Sequence, residues 1–531
     1  MSEFKQRVKN LADNLPFSGD LEWRLVGRSR MQENERFRQF LENVQTWADD
    51  ARSVPVKSGE SKKVLLFAMI HLWVRYAAAL SLLLNRLGHN VTLAYLPYQN
   101  WFDESPPRED TRLHYYYQAC LQPLAPLISL RTLYSRQQKP APVPEELAAR
   151  IEMISERDFQ YSRQVEEVDQ DDPLFMLRRK RNRYAAGEFY QLLQADRPDV
   201  VIVPNGMILE FGVLYEVARY LEIPAVTYEF GEQKDKIWIS QDQPVMFQNT
   251  DELWDKYKDQ PFTEGQQNQI EELYASRKNA SLWKQFSRQW QEVPSEGERE
   301  VKARLGLDER PIVLMAVNVI GDSLTLGRQV YSVDMSEWIS RTLAYFREKP
   351  EVQFILRIHP GERYTDGPSV EDIIRQRFLD VPDHFRVISA SDKINTYDLV
   401  TIADLGLTYT TTVGMEMAMS GLPVIVSGNT HYRGKGFTLD PASWEQYFEI
   451  IEAVLASPGA YQYTAEKLNT VWHYAYCFFF EYPFPSPWHL RGILEMIQEQ
   501  PISRLVSEES LQQYGSTYSF LLNQTVAKKE N

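Results

Sequence analysis

The chain has 531 residues, more than one hydrophobic core usually serves, so two domains are expected. Its hydrophobic (43%) and charged (25%) contents are those of an ordinary globular protein. A balance of 58 basic against 73 acidic residues, net −15, argues against a general nucleic-acid or anionic-lipid binder, and two cysteines (Cys120, Cys477) exclude a disulfide framework or zinc cluster and fit a reducing compartment.

The opening MSEFKQRVKNLADNLPFSGD is polar and charged, unlike a secretory signal, and residues 1–60 are expected to form a helical segment. The apolar stretch VLLFAMIHLWVRYAAALSLLL, 64–84, is long enough to cross a bilayer. His71 and Arg75 sit near its middle, however, where a charge is costly. It reads better as a buried strand (64–70), a loop and a helix (74–87). Gly88 then stops the helix, and a β-rich run at 91–96 completes a βαβ unit. A second unit spans 197–231, with a strand at 200–203, a helix at 207–221 and a strand at 224–229. Between the units, 99–160 is polar, aromatic and proline-bearing, and reads as an insertion containing helices. The basic run LRRKRNR, 177–183, reads as a solvated helix face, with a site for an anionic acceptor or lipid as the other reading.

From 262 to 291 the pattern is helical and polar, and the glycine, proline and charge of the next stretch mark a linker at 292–310. The alternation then restarts: strand 311–317, helix 335–347, strand 352–358, strand 385–389, helix 394–402, strand 405–408, helix 412–420 and strand 423–427. The expected fold is α/β, with two Rossmann-like parallel-sheet domains facing an interdomain cleft. The first domain takes 61–295 and the second 305–470; an aromatic, helical segment at 471–531 returns to the first. Ligands of open α/β sheets lie beyond the carboxyl ends of strands and at helix N-termini.

Four places on those edges carry candidate chemistry. In TYTTTVGMEMAMSGLPVIV, 408–426, a strand ends at Thr408, threonines cross the turn, and a helix starts near Val413 or Gly414. Free amides and hydroxyls there suit a phosphate, Gly414 permits close approach, and Glu416 suits ribose hydroxyls. A simple threonine N-cap with a glutamate complementing the helix dipole explains the same letters equally well. In VQFILRIHPGERYTDG, His359 ends a strand, where it can donate to a phosphate and titrate near neutrality, or serve structure alone. In TYEFGE, Glu229 ends an apolar strand, where partial desolvation would raise its pKa and let it take a proton from a hydroxyl; a solvated loop glutamate is the plainer reading of the same letters. Asn205 and Gly206 face the same edge, with an αL turn as the plainer reading. His71 is a further candidate base, or a packed histidine. Asn318, Gly321 and Asp322 follow the first strand of the second half without GxGxxG spacing, so no dinucleotide fingerprint is present.

Taken together, PNG with its following helix, YEFG, NVIGDSLTLGR, RIHPGE, INTYDL, TYTTTVGMEMAMSGLPVIV and HYRGKGFT resemble GT-B glycosyltransferases of the bacterial capsule or surface polysaccharide type. The resemblance covers most of the second half and residues 197–232. It implies donor phosphates at Thr411, Thr412 and the Val413–Gly414 backbone, ribose at Glu416, and nucleotide phosphate at His359 and Pro360. Asn318, Gly321 and Glu362 join the implied donor site, and Glu229 with Gly231 maps to the acidic-x-Gly motif of the proposed base. Tyr228 departs from the histidine many relatives carry there. The implied activity is transfer from a nucleotide sugar to a carbohydrate or lipid-linked saccharide. No metal, cofactor or nucleic acid is expected, and the implied location is cytoplasmic, at the inner membrane face when the acceptor is lipid-linked. Alternatives are a CDP-alcohol phosphotransferase of the teichoic-acid kind, which −15 disfavours, a sugar-nucleotide 2-epimerase, and a non-catalytic scaffold of the same fold.

Overall fold

A computed structural model describes residues 15, 17–97, 100–135, 139–241, 243–283, 293–365, 367–377 and 381–525. It divides into two compact units. The first takes the described residues of Met1–Asp158, Asp169–Met246 and Phe484–Asn531, and the second those of Phe159–Val168 and Phe247–Pro483.

In the first unit the strands are β1 (Lys63–Ala68), β2 (Asn90–Tyr95), β3 (Ser129–Thr132), β4 (Val200–Pro204), β5 (Ala225–Glu229) and β6 (Lys236–Ser240), with a two-residue strand, β12, at Phe484–Pro485. They form one sheet in the order β12-β6-β5-β4-β1-β2-β3. Strands β1 to β5 pair in parallel, and β6 and β12 add antiparallel edges. Val64 to Ala68 and Val200 to Pro204 are buried throughout, as continuous apolar runs covered on both faces must be. The helix after β1 starts at His71, three residues earlier than its apolar spacing suggests, because Ile70 turns the chain with φ 63. A β-branched residue in that region is costly, and it stands at the carboxyl end of β1. No described helix is long and apolar enough to cross a membrane.

Two features differ from expectation. The 99–160 segment holds helices Pro107–Leu121 and Glu145–Arg163, but it also supplies β3, whose largely exposed SLRT has Leu130 as its one apolar residue. The basic run lies in helix Pro173–Ala195, and it is not simply a solvated face. Arg178 and Arg181 are buried, and Arg181 donates to the carbonyls of Asn100 and Asp103. Lys180 and Arg183 pair with Glu104 and Glu152.

Arg178 is the centre of a buried network. Its Nε meets Asp158 Oδ2 at 3.1 Å and its Nη2 meets Glu210 Oε2 at 2.7 Å. Asn182 donates to Asp158 and to Ser155. The other Asp158 oxygen accepts the Leu209 amide, capping helix Leu209–Tyr220. Burial raises the Asp158 carboxyl above its usual value, against the Arg178 charge that lowers it, and removing Arg178 would strand its buried partners.

The second unit contains β7 (Ile312–Ala316), β8 (Gln353–Arg357), β9 (Phe385–Ile388), β10 (Leu405–Thr408) and β11 (Val424–Val426). They form an all-parallel sheet in the order β11-β10-β7-β8-β9. Both sheets thus have the Rossmann-like order 3-2-1-4-5, reversing direction between β1 and β4 and between β7 and β10. Helix Met335–Arg347 stands as expected. Its first amides, Met335 and Ser336, donate to Glu166 at 2.9 and 2.8 Å.

The units do not divide at 292–310. Residue 292 lies outside the described residues, and 293–310 carries helix Glu298–Leu305 within the second unit, where Ser295 and the Glu296 amide bond Asp398. Helix Glu264–Lys278 also belongs to that unit, packed on helix Ala465–Tyr476. Of the 471–531 segment, residues up to Pro483 lie in the second unit and those from Phe484 in the first.

Replacing Arg178 with methionine should leave Asp158 and Glu210 uncompensated and cost about 3–5 kcal/mol. Urea denaturation of the variant against the wild type measures it, and a change under 1 kcal/mol (roughly that of a surface pair) would reject the network's role.

Candidate functional site

In the first unit the strand ends at the direction reversal carry unusual backbone. After β4, Asn205 (φ 58) and Gly206 (φ 85) are both left-handed. A Cβ on Gly206 would come within 2.5 Å of Thr227 Cγ2, so glycine is needed for packing as well as for φ. The Asn205 amide donates to the Tyr228 carbonyl at 2.9 Å, and its side-chain oxygen accepts the Met207 amide at 3.0 Å. This αL turn is the plainer of the two sequence readings, and it delivers the Asn205 side chain to Glu229.

Glu229 ends β5 half-buried. Its Oε1 accepts the Phe230 amide at 3.0 Å, and the Asn205 side chain bonds it as well. Burial pushes its carboxyl up to about 7, against the two hydrogen bonds that lower it. A carboxyl raised into that range suits a general base working near neutral pH. Tyr228 points the other way: it is 1% exposed, packs near Trp73 and Tyr76, and its hydroxyl has no hydrogen-bond partner among the described residues. Alternation along a strand puts neighbouring side chains on opposite faces, so Tyr228 serves the core while Glu229 stands at the edge.

His71 does not join this pair. Its ring packs edge-on against Phe37 and Phe40, and its Nδ1 lies 3.1 Å from the Tyr117 hydroxyl. Burial, with Arg75 and Arg36 nearby, lowers its pKa to about 3. It is a packed neutral histidine, and the acceptor-side role falls away.

In the second unit, β10 pairs with β7 and brings their loops together. Asn318 Oδ1 accepts the Thr410 amide at 3.3 Å. The Thr410 hydroxyl is buried without a hydrogen-bond partner among the described residues, and the Thr412 hydroxyl makes no cap bond to its helix. Thr411 differs from expectation. Its hydroxyl accepts the Val413 amide at 3.4 Å and its carbonyl accepts the Gly414 amide at 3.0 Å, so the helix-start amides are already bonded by the chain.

Gly414 and Gly321 also answer to packing. A Cβ on Gly414 would meet the Tyr432 hydroxyl at 2.3 Å, and one on Gly321 (φ +70) would meet the Gln160 carbonyl at 2.5 Å. The side chains of Glu416 and Glu362 are engaged internally. Arg277 Nε donates to Glu416 Oε1, while Oε2 of that 1%-exposed side chain has no hydrogen-bond partner among the described residues. Glu362 accepts the Val370 amide, and burial raises its pKa to about 7.

His359 follows β8, the neighbour of β7. Its Nδ1 accepts the Gly361 amide at 3.0 Å as the cap of the short helix Pro360–Tyr364, leaving the ring proton on Nε2. Burial and the Arg357 charge lower its pKa to about 4. The expectation that it titrates near neutrality is therefore corrected: His359 is a neutral N–H donor at physiological pH. Asp322 caps its own loop through the Leu324 amide at 2.7 Å.

A cavity of about 460 Å³, lined by Tyr274, Lys278, Asp404, Ser420 and Pro423 among others, opens at the amino ends of β10 and β11. That is the edge opposite the candidate residues. Arg277 and Glu166 escaped the sequence reading because their partners lie 139 and 169 residues away, and HYRGKGFT gave no sign that Tyr432 would close on Gly414.

No protein-family model and no curated protein matches the chain. Solved structures similar to it include two Thermosulfurimonas dismutans KpsC proteins. One, a beta Kdo 2,4 transferase, is 16% identical over 51% of this chain and 78% of that chain, with TM-score 0.31. The other, a beta Kdo 2,7 transferase, is 12% identical over 59% and 89%, with TM-score 0.34. A UDP-GlcNAc 2-epimerase from Neisseria meningitidis bound to UDP-GlcNAc is 12% identical over 83% and 100%, with TM-score 0.25. Scores this low carry no weight for activity, and the α/β assignment rests on the strand order and register above.

The Glu229 carboxyl titrates near 7 when folded and near its usual 4.5 when unfolded. Between those values the native state holds a proton that the unfolded chain has released. The stability tied to it is full below 4.5 and is lost as pH rises through about 7. Glu229→Gln should flatten that loss, so the urea midpoint should fall less from about pH 5 to 8 in the variant than in the wild type. Parallel curves would contradict the raised pKa.

Proposed function

We propose that this chain is a GT-B glycosyltransferase that moves a sugar from a nucleotide-activated donor to a surface-polysaccharide or glycolipid acceptor. One observation carries the reading: Glu229, with its pKa near 7, is held by Asn205 and the Phe230 amide at the carboxyl edge of a Rossmann-like sheet. In the proposed reaction the acceptor hydroxyl gives its proton to the Glu229 carboxylate as its oxygen bonds the anomeric carbon. The bond from that carbon to the donor phosphate breaks, and its electron pair leaves with the nucleotide.

Donor contacts are proposed at the edge shared by β7, β8 and β10. The His359 imidazole, neutral with its proton on Nε2, suits a phosphate oxygen without adding charge. The Thr410 and Thr412 hydroxyls and the Asn318 loop supply further polar groups. Since the amides of Val413 and Gly414 are bonded within the turn, hydroxyls rather than free helix-end amides are the better proposed ligands. The Glu416 role at ribose is retained only for Oε2, because Arg277 holds the other oxygen.

The basic run at 177–183 bears on the phosphotransferase alternative, which needs a cationic groove for a polyanionic acceptor. Arg178 is spent on buried carboxylates and Arg181 on backbone carbonyls, while Lys180 pairs with Glu104 and both Arg179 and Arg183 pair with Glu152. That run offers such an acceptor little, and sugar transfer remains the better reading.

Glu229→Gln should lower turnover by roughly 10²–10⁴-fold, while the melting shift produced by a bound nucleotide stays as in the wild type. Near-normal turnover removes Glu229 from the mechanism. A melting panel of CMP, UDP, GDP, ADP and CDP identifies the donor's nucleotide, since only a ligand of the native state raises the melting temperature. Transfer is further proposed to need no metal, so activity should survive EDTA. Complete loss restored by magnesium or manganese would reject that proposal.

A further inference from the structure

The turn after Glu229 is gripped by a residue from the far end of the first unit's chain. His489 lies in the segment that follows β12 and is buried. Its Nδ1 accepts the Arg491 amide at 3.1 Å, which leaves the ring proton on Nε2. That nitrogen donates to the Gly231 carbonyl at 3.0 Å. The ring also lies 4.8 Å from Phe230, whose other faces meet Tyr76 and Trp73. On the far side, a Cβ at Gly231 would come within 3.0 Å of the Trp238 ring. Residues 230 and 231 are thus clamped from three elements, and Phe230 supplies the amide that bonds Glu229.

We propose that His489 is a positioning residue for Glu229: its hydrogen bond to the Gly231 carbonyl and its contact with Phe230 hold the carboxylate where an acceptor hydroxyl must meet it. The inference rests on the reading of Glu229 as the base. Neither the spacing nor the residue type suggested it, because the bond spans 258 residues. Burial and the Arg491 charge keep the imidazole's pKa low, at about 4, against the Gly231 contact, so it stays neutral while Glu229 titrates. Other ionisable groups around the turn are Tyr76 and Tyr228, both raised by burial and uncharged in this range, Glu232, which follows Gly231 in the chain, and Arg491 beside His489.

The test uses the full chain and two variants. His489→Ala removes the donor and the ring. His489→Gln keeps an N–H able to reach the Gly231 carbonyl. The first readout needs no activity: the Glu229-linked fall in stability from about pH 5 to 8, taken as the difference between each protein and its Glu229→Gln counterpart. It should shrink in His489→Ala and return in His489→Gln. The second is turnover, which should drop about 10–100-fold in His489→Ala with the nucleotide melting shift unchanged, and recover in large part in His489→Gln. A Glu229-linked fall identical in all three proteins overturns the proposal, as does wild-type turnover in His489→Ala. Normal turnover in Glu229→Gln refutes the base reading instead, and the linked stability fall still decides whether His489 positions the carboxylate.

Discussion

When β4 pairs in parallel with β1, and β10 with β7, the loops leaving the carboxyl ends of those strands must emerge side by side. The registers Val64↔Val200 and Thr408↔Ala316 fix which residues become neighbours. Asn318 reaches Thr410 across 92 residues for that reason, and Asn205 meets Glu229 because β4 and β5 end level with each other. The buried apolar runs hold the registers, since a one-residue slip would turn every inward side chain outward. The polar loops then ride on an arrangement they do little to stabilise.

Helix starts near those edges are largely filled by the protein's own groups. Asp158 bonds the Leu209 amide, Glu166 takes Met335 and Ser336, and Thr411 takes Val413 and Gly414. A helix N-terminus attracts any anion, and a carboxylate fixed by the fold satisfies it without an external ligand. Among the polar groups at those edges, the Thr410 hydroxyl is left without a hydrogen-bond partner among the described residues, while Glu229 and His359 are held through the Phe230 and Gly361 amides.

The same burial that builds these edges sets their proton states in opposite directions. Desolvation disfavours charge, so it raises the Glu229 carboxyl to about 7 and lowers the His359 imidazole to about 4. Each group is moved toward its neutral form. One becomes a proton acceptor suited to near-neutral pH, and the other a constant uncharged donor.

From the letters alone, β1, β4, β5, β7, β8, β10 and the helices after β4 and β7 could be read within a few residues, because apolar periodicity is local. So could the strand-end positions of Glu229, His359 and Asn205. The exposed edge strand β3 and the embedding of 247–283 and 293–310 in the second unit could not, because their stability comes from partners distant in sequence. Tertiary structure alone decided which candidates keep a free role. It paired Glu416 with Arg277, set Gly321 against the Gln160 carbonyl, packed His71 among aromatic rings and brought His489 to Gly231. Sequence fixes a residue's chemistry and its strand, but hydrogen bonds are claimed by whichever group folding brings within reach.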